Sequence, residues 1–257
     1  MSLLLVKLIL APILIWATTL AARRWGPAIG GWLAALPLKS GPISVFLALE
    51  QGREFAANAG INSVFGAAAV SAFCLAYAKS ARRFSWPFAL FCASFAYFLL
   101  LFLLSLAPST LPVAIALAIA LLSAALFAIG HPPAKPAPVL SPWWDLPLRM
   151  ASSTGLLLLV TGIAEHIGPK WSGLISPFPV LATVLGIFVH FQSGSAAVHQ
   201  FMRGILSGSF AFVAFCVVVA LTIRNVNLPV VYLLASIVAV AINFAMLRLV
   251  QERERYP

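Results

Sequence analysis

One stretch of the sequence, residues 31–52, is apolar enough to cross a bilayer but is interrupted midway. Pro37, Lys39, Gly41 and Pro42 all fall near its centre. Proline removes a backbone hydrogen-bond donor and clashes with the preceding turn, and a charge at mid-depth costs about 2.5–3.5 kcal/mol on insertion scales. The stretch therefore predicts a broken membrane helix.

A second stretch, residues 173–194, repeats this pattern at a spacing of 142 positions. At this spacing Pro37 aligns with Pro179 and Gly52 with Gly194. Further identities occur at the same spacing without a gap: Thr19 and Thr161, Phe46 and Phe188, Gly66 and Gly208, Arg82 and Arg224, Pro87 and Pro229. Because identities at one spacing extend over about a hundred residues, we predict a duplicated unit. Its copies are residues 1–107 and 143–257, joined by a linker at 108–142.

Composition excludes a soluble domain. Hydrophobic residues make up 62% of the chain and charged residues 9%, and the mean hydropathy is +1.04, whereas soluble domains are about a quarter charged. The net charge of +10 lies between apolar segments, where Lys and Arg set orientation and meet lipid head groups. We therefore predict the lipid bilayer as a partner, and no nucleic acid.

Segments of about twenty apolar residues predict nine membrane-spanning helices. They are 3–22, 29–50, 55–78, 85–106, 111–130, 147–165, 171–192, 199–222 and 228–249. The expected fold is an all-α helical bundle with four helices, one linker helix and four more helices. The first span is not read as a signal peptide, since its counterpart lies in mid-chain. Eight helices remain the alternative if 85–130 forms one hairpin that does not span twice.

Because a single extra helix separates the two units of four helices, the second unit enters the membrane from the opposite side. The units are therefore predicted to be inverted repeats. Eleven Lys and Arg residues, among them Arg23 and Arg149, then fall on one side, and Lys39 lies inside the membrane. The four on the other side are Lys7, Arg53, Lys170 and Arg224. By the positive-inside rule the richer side is cytoplasmic. We expect a multi-pass protein of a bacterial inner membrane with a periplasmic N-terminus and a cytoplasmic C-terminus.

The region from Gly173 to Phe215 resembles the GlpM-like family of small bacterial inner-membrane proteins. The residues that match the family pattern are Gly173, Leu174, Phe178, Pro179, His190 and Arg203. Pro177 stands directly before Phe178, and Phe191 replaces the family's tyrosine. The first unit keeps only Gly31 and Pro37 of this pattern.

The resemblance implies a four-helix unit, and some family members are linked to production of the exopolysaccharide alginate. The family's size and weak charge bias are similar to those of dual-topology proteins, which pair head to tail. By this resemblance the chain looks like such a pair fused into one polypeptide, active as a monomer or weak oligomer.

Lys39 is the sharpest candidate for a solute site, because a charge inside a membrane segment is by default functional. The alternative is a structural ion pair with Glu50 or Glu54. The predicted site lies between helices 2 and 7 and includes Lys39, Pro37, Pro42, Pro179, Glu50, Gln192, His190 and Arg203.

The other polar candidates have plainer alternatives. His190 and His199, near Arg203, fit either proton coupling or a satisfied interfacial histidine. Glu50 fits either a solvated turn or a polar site shared with its counterpart Gln192. We predict that the third helices of the two units, 55–78 and 199–222, cross each other at Gly66, Gly204 and Gly208, since small residues let helices approach closely.

Two functions follow. The first is a transporter-like protein for a small polar or anionic solute. The second is a non-transporting accessory subunit of envelope polysaccharide machinery, as the family resemblance implies. No catalytic triad, phosphate loop or zinc spacing is present in the sequence, so neither an enzyme nor a cofactor or metal is predicted.

Overall fold

The chain folds into helices that pack around one continuous core. The structure is a computed structural model, which describes residues 3–37, 40–130, 142–166 and 178–255. All the regular structure within these ranges is helical, in nine helices: α1 (Leu3–Trp25), α2 (Pro27–Ala34), α3 (Ser40–Glu50), α4 (Arg53–Ser80), α5 (Trp86–Leu104), α6 (Leu111–Ile129), α7 (Asp145–His166), α8 (Val180–Thr222) and α9 (Leu228–Arg255). The all-helical prediction is confirmed for these residues.

Five of the described helices are long and apolar enough to cross a membrane. They are Arg53–Ser80, Trp86–Leu104, Leu111–Ile129, Val180–Thr222 and the part Leu228–Met246 of α9. Large apolar side chains point outward from the bundle, among them Phe91 and Phe95 of α5 and Ile237 and Phe244 of α9. An exposed apolar surface of this extent is compatible with a membrane-embedded protein. The full arrangement of nine spans stays a prediction.

The predicted second span is broken in the structure. It forms α2 and α3, and the short connection between them begins at Ala35 and includes Pro37. Proline cannot donate the hydrogen bond that would continue α2, and the Gly41 backbone N–H bonds to the Pro37 carbonyl oxygen at 2.7 Å. The interruption of this span therefore includes Pro37, as predicted from the sequence.

Helix α8 is interrupted at Gly194, which has φ 75° and ψ −173°. Gly52, directly before α4, has φ 91° and ψ 166°. This backbone region is essentially restricted to glycine. After the break, α8 continues over 195–222, and α4 shifted by 142 positions covers the same range. The starts of α1 and α5, shifted likewise, coincide with those of α7 and α9.

Helix α4 and the 195–222 part of α8 pack against each other in opposite directions. Near the start of α4, a Cβ added at Gly60 would lie 3.3 Å from the Cys216 carbonyl oxygen, close to the end of α8. Near the end of α4, Tyr77 lies beside Gly186, which also meets the terminal methyl of Met202. Matched segments of the two predicted units thus run antiparallel.

Helix α2 packs tightly on α8 through backbone-to-backbone contact. A Cβ at Gly31 would overlap the carbonyl oxygen of Phe201, and one at Gly204 would overlap that of Ala28. One turn later, a Cβ at Gly208 would lie 2.7 Å from the Trp32 carbonyl oxygen. Gly204 and Gly208 therefore do sit at a helix crossing, but the helix they meet is α2. Gly66 is buried in α4.

Candidate functional site

A buried group of charged and polar side chains joins α1, α7 and α8; we call Arg23, Asp145, Arg149 and Gln192 the charged network. The Asp145 carboxylate accepts hydrogen bonds from Arg23 Nη2 at 2.6 Å, from Arg149 Nε at 2.8 Å and from Gln192 Nε2. Arg149 Nη2 also donates to Gln192 Oε1 at 3.0 Å. The Arg149 guanidinium lies 4.9 Å from the centre of the Phe188 ring. Every member of the network thus has at least one partner inside the protein.

Local sequence explains why these four side chains meet. Asp145 and Arg149 are four residues apart in the first turns of α7, so they lie on one helix face. Arg23 is in the last turn of α1. A carboxylate at a helix start and a guanidinium at a helix end both interact favourably with the helix dipoles. Gln192 reaches them from the turn before the Gly194 break.

Burying the charged side chains of this network costs free energy, because the charges lose their hydration. The side chains of Asp145, Arg149 and Arg23 are 0%, 6% and 37% exposed. Burial by itself raises the pKa of Asp145, but the hydrogen bonds and charge of Arg149, with hydrogen bonds from Arg23 and Gln192, outweigh it and lower that pKa below its ordinary value. Asp145 therefore carries its charge at neutral pH.

A second set of polar side chains lies where α4 packs against the 180–193 part of α8. It consists of Tyr77 on α4 and of Thr183 and His190 on α8, and we call these three residues the polar strip. The Tyr77 and His190 rings pack edge to face with centroids 5.9 Å apart. Thr183 and His190 lie on the face of α8 that carries Gly186, since they are three residues before and four after it. Tyr77 Oη, Thr183 Oγ1 and His190 Nδ1 are buried without a hydrogen-bond partner among the described residues.

Aromatic rings pack beside Tyr77 at the start of α8, where the Phe73 and Tyr77 ring centroids are 6.0 Å apart. Phe178 packs edge to face against Phe73 and Tyr97, at centroid distances of 6.2 and 5.5 Å, and stacks on Phe98 at 5.6 Å. Pro179 follows Phe178 and is the residue from which α8 begins. Because Phe178 contacts α4 at Phe73 and His190 contacts it at Tyr77, Thr183 lies between these two contacts.

His199 and Arg203 bind the end of the linker helix α6. His199 Nε2 lies 2.8 Å from the Ile129 carbonyl oxygen, and Arg203 Nη1 donates to the Gly130 carbonyl oxygen. The last carbonyl groups of a helix lack partners within the helix, so cationic or donor side chains stabilise that end. The geometry gives both residues a structural contact with α6, and neither is part of the polar strip.

An ion pair links the predicted units at the other end of α4. The Arg224 guanidinium makes two hydrogen bonds to Glu54, at 2.7 and 2.8 Å. Arg53 Nη1 donates to the Val226 carbonyl oxygen at 3.1 Å. The Arg224 and Glu54 side chains are 42% and 71% exposed, so water competes for this pair. Glu54 and Tyr77 are about 35 Å apart along α4.

The predicted solute-site residues do not all converge. His190 belongs to the polar strip and Gln192 to the charged network, whereas Glu50 is exposed at the far end of α3. Glu54, the alternative partner considered for Lys39, pairs with Arg224. Lys39 itself lies outside the described residues.

The predicted prolines mark helix breaks and helix starts. Pro37 and Pro42 are half-buried, the first at the break after α2 and the second in the first turn of α3. Pro179 is also half-buried, and its carbonyl oxygen accepts a hydrogen bond from the Thr183 backbone N–H at 2.9 Å.

Sequence reasoning missed Asp145, Tyr77 and Thr183. The four-residue spacing of Asp145 and Arg149 before an apolar segment is a usable signal for a helix-start ion pair. Tyr77 and Thr183 gave no such signal, because single polar residues in apolar helices are common and their lack of partners is visible only in three dimensions. Among the described residues, no three His, Cys, Asp or Glu side chains are placed to hold a metal ion.

Comparison with known proteins gives no match: no family model, curated protein or solved structure is similar to this chain. The resemblance to GlpM-like proteins therefore stays a prediction from the residues of the second unit.

Proposed function

We propose that the chain is a membrane transport protein built from two inverted repeats, residues 1–107 and 143–257. It moves a small polar or anionic solute between the predicted second and seventh spans, residues 29–50 and 171–192. The observation that carries this proposal is that α4 and the matched part of α8 run antiparallel, each beginning after a glycine of the same unusual backbone conformation. Inverted repeats with broken helices near the repeat interface are typical of secondary transporters.

The placement of charges supports the proposed orientation. Charge counting assigns Arg23 and Arg149 to the cytoplasmic side, and both bind Asp145. It assigns Arg53 and Arg224 to the opposite side, and both make their contacts there. Each end therefore holds an ionic link between the two units, as expected of a bundle that opens at one face while the other stays closed.

Two measurements test the architecture and the activity. Accessibility of tags on the two termini in sealed inside-out and right-side-out vesicles should place the N-terminus in the periplasm and the C-terminus in the cytoplasm. Purified protein in proteoliposomes should accelerate solute uptake over protein-free vesicles. Termini on the same face would end the inverted-repeat proposal.

A variant series tests the predicted charge at the broken helix. Lys39→Ala should abolish transport if Lys39 helps hold the solute, whereas Lys79→Ala, at an exposed position, should leave it unchanged. Equal flux in both variants would exclude Lys39 from the site. Absence of any flux, together with co-purification of a polysaccharide synthase, would favour the accessory-subunit reading.

A further inference from the structure

We infer that the polar strip of Tyr77, Thr183 and His190 is a binding site for a small uncharged solute that both donates and accepts hydrogen bonds. This inference rests on the proposed transport function and names the solute class. It also moves the centre of the site from Lys39 to the contact between α4 and the 180–193 part of α8.

The first argument is the lack of internal partners. Tyr77 is fully buried and Thr183 is 3% exposed, yet neither hydroxyl is hydrogen-bonded within the described part of the chain. Buried polar groups in proteins are nearly always satisfied, so groups that are not satisfied require an explanation. By contrast, the buried hydroxyls of Ser207 and Ser209, farther along α8, bond to carbonyl groups of their own helix.

The second argument is the geometry of the strip. Thr183 and His190 are seven residues apart on one face, which corresponds to about 10 Å along the helix. Tyr77 lies against that face, with its ring in contact with His190 and its phenolic end beside Gly186. A Cβ at position 186 would lie 2.7 Å from the Met202 methyl and 3.9 Å from the Tyr77 ring, so the absence of a side chain at Gly186 lets Met202 approach this face closely. The strip therefore presents polar atoms over a length that suits a solute of a few heavy atoms.

The third argument is charge. Among the described residues, the ionic groups on α7, Asp145 and Arg149, are bound to each other and to Arg23 and Gln192. A charged solute at the strip would lose its hydration without gaining a counter-charge from this network, which is strongly unfavourable in a bundle of apolar helices. Tyr, Thr and neutral His side chains each offer a donor or an acceptor. The strip consequently suits an uncharged solute.

Glycerol and urea are suitable probes, measured by light scattering of osmotically shocked proteoliposomes. The wild type should conduct at least one of them well above protein-free vesicles. Tyr77→Phe and Thr183→Val remove one hydroxyl each at nearly constant shape, and each should lower that permeability roughly threefold to tenfold. Tyr232→Phe is the matched control, because the Tyr232 hydroxyl already pairs with Ser44 Oγ at 2.9 Å.

Thermal unfolding separates a solute-binding role from a structural one. Because the Tyr77 and Thr183 hydroxyls have no partner to lose within the described ranges, both variants should unfold at the wild-type temperature or above it. A stabilising shift of the wild type by the conducted probe should shrink in the two variants. Lower unfolding temperatures with unchanged permeability would overturn the assignment.

The remaining outcomes distinguish this inference from the proposed function. Flux of a radiolabelled small anion without flux of either neutral probe would leave transport standing and refute the uncharged class. Neutral flux that is unchanged in Tyr77→Phe and Thr183→Val would refute the strip as the site. No flux of any solute would refute both proposals.

Discussion

Asp145→Asn removes the one negative charge of the charged network while nearly preserving side-chain shape. In the folded protein the Asp145 carboxylate is fully buried and accepts from two guanidinium groups and one amide. After the substitution, Arg149 remains 6% exposed without its counter-charge. Removing one partner of a buried ion pair costs about 3–5 kcal/mol.

We expect the lower end of that range, about 3 kcal/mol, because Gln192 and the Phe188 ring continue to contact the Arg149 guanidinium. For a chain of this length, that loss corresponds to a fall of roughly 6–12 °C in the unfolding temperature. Arg23→Gln should cost about 1 kcal/mol or less, since the Arg23 side chain is 37% exposed and water replaces part of the lost contact.

The assay is thermal unfolding of the detergent-purified protein, with all variants heated at one rate because unfolding of such proteins is often irreversible. Glu54→Gln is the matched control: it removes one carboxylate from the exposed ion pair with Arg224 and should leave the unfolding temperature unchanged. Replacing Asp145 and Arg149 together by leucine should recover much of the loss, because no unpaired buried charge remains in α7.

Two outcomes would contradict the assignment of Asp145 as a buried, paired carboxylate. If Asp145→Asn shifts the unfolding temperature no more than Glu54→Gln does, the carboxylate is not desolvated in the folded protein. If the double leucine variant is as unstable as Asp145→Asn, the loss comes from packing at the start of α7 and not from unpaired charge.

Three further predictions concern backbone contacts and pH. Gly31→Ala should destabilise the protein by about 1–3 kcal/mol, because the added Cβ overlaps a backbone carbonyl of α8. Gly155→Ala is the control, since the space around Gly155 is open, and thermal unfolding of the two variants should show a loss only for Gly31→Ala. Gly52→Ala and Gly194→Ala should each cost about 1–3 kcal/mol by backbone strain alone, and clearly unequal shifts in unfolding temperature would contradict the matched conformations. The pKa of Asp145 is lowered in the folded state, so its stabilising contribution is present above the ordinary carboxyl pKa and is lost as the pH falls through the folded value. The difference in unfolding temperature between the wild type and Asp145→Asn should accordingly narrow only in strongly acidic buffer.

The breaks in the helices could be predicted from single residues. Proline and glycine constrain the backbone directly, so Pro37 predicted the interruption between α2 and α3, and the aligned Gly52 and Gly194 have the same conformation in the structure. Apolar segments of about twenty residues likewise predicted helices over most of the chain. These features depend on local sequence, which is why they are readable without a fold.

The candidate site was less predictable because it depends on which helices become neighbours. Alignment of the two units pairs Glu50 with Gln192, yet Gln192 is near the end of α4 that carries Tyr77, and Glu50 precedes the opposite end. Equivalent positions in inverted units fall at opposite ends of the bundle, so a residue and its counterpart do not meet unless they lie near the centre. The alignment thus predicts similar surroundings but not contact.

The two ionic links between the predicted units differ in strength, and under the proposed transport function this difference predicts which end opens first. At one end the fully buried Asp145 carboxylate binds two arginines and a glutamine. Separating α1 from α7 would expose these groups to water or leave them without a partner. At the other end, the exposed side chains of Arg224 and Glu54 already exchange with water, so separating them loses little. The polar strip lies beside the stronger link, since His190 and Gln192 are two residues apart in α8. In the proposed transport cycle, opening the bundle at the Glu54 end should therefore cost less free energy than opening it at the Asp145 end, which lies beside the polar strip.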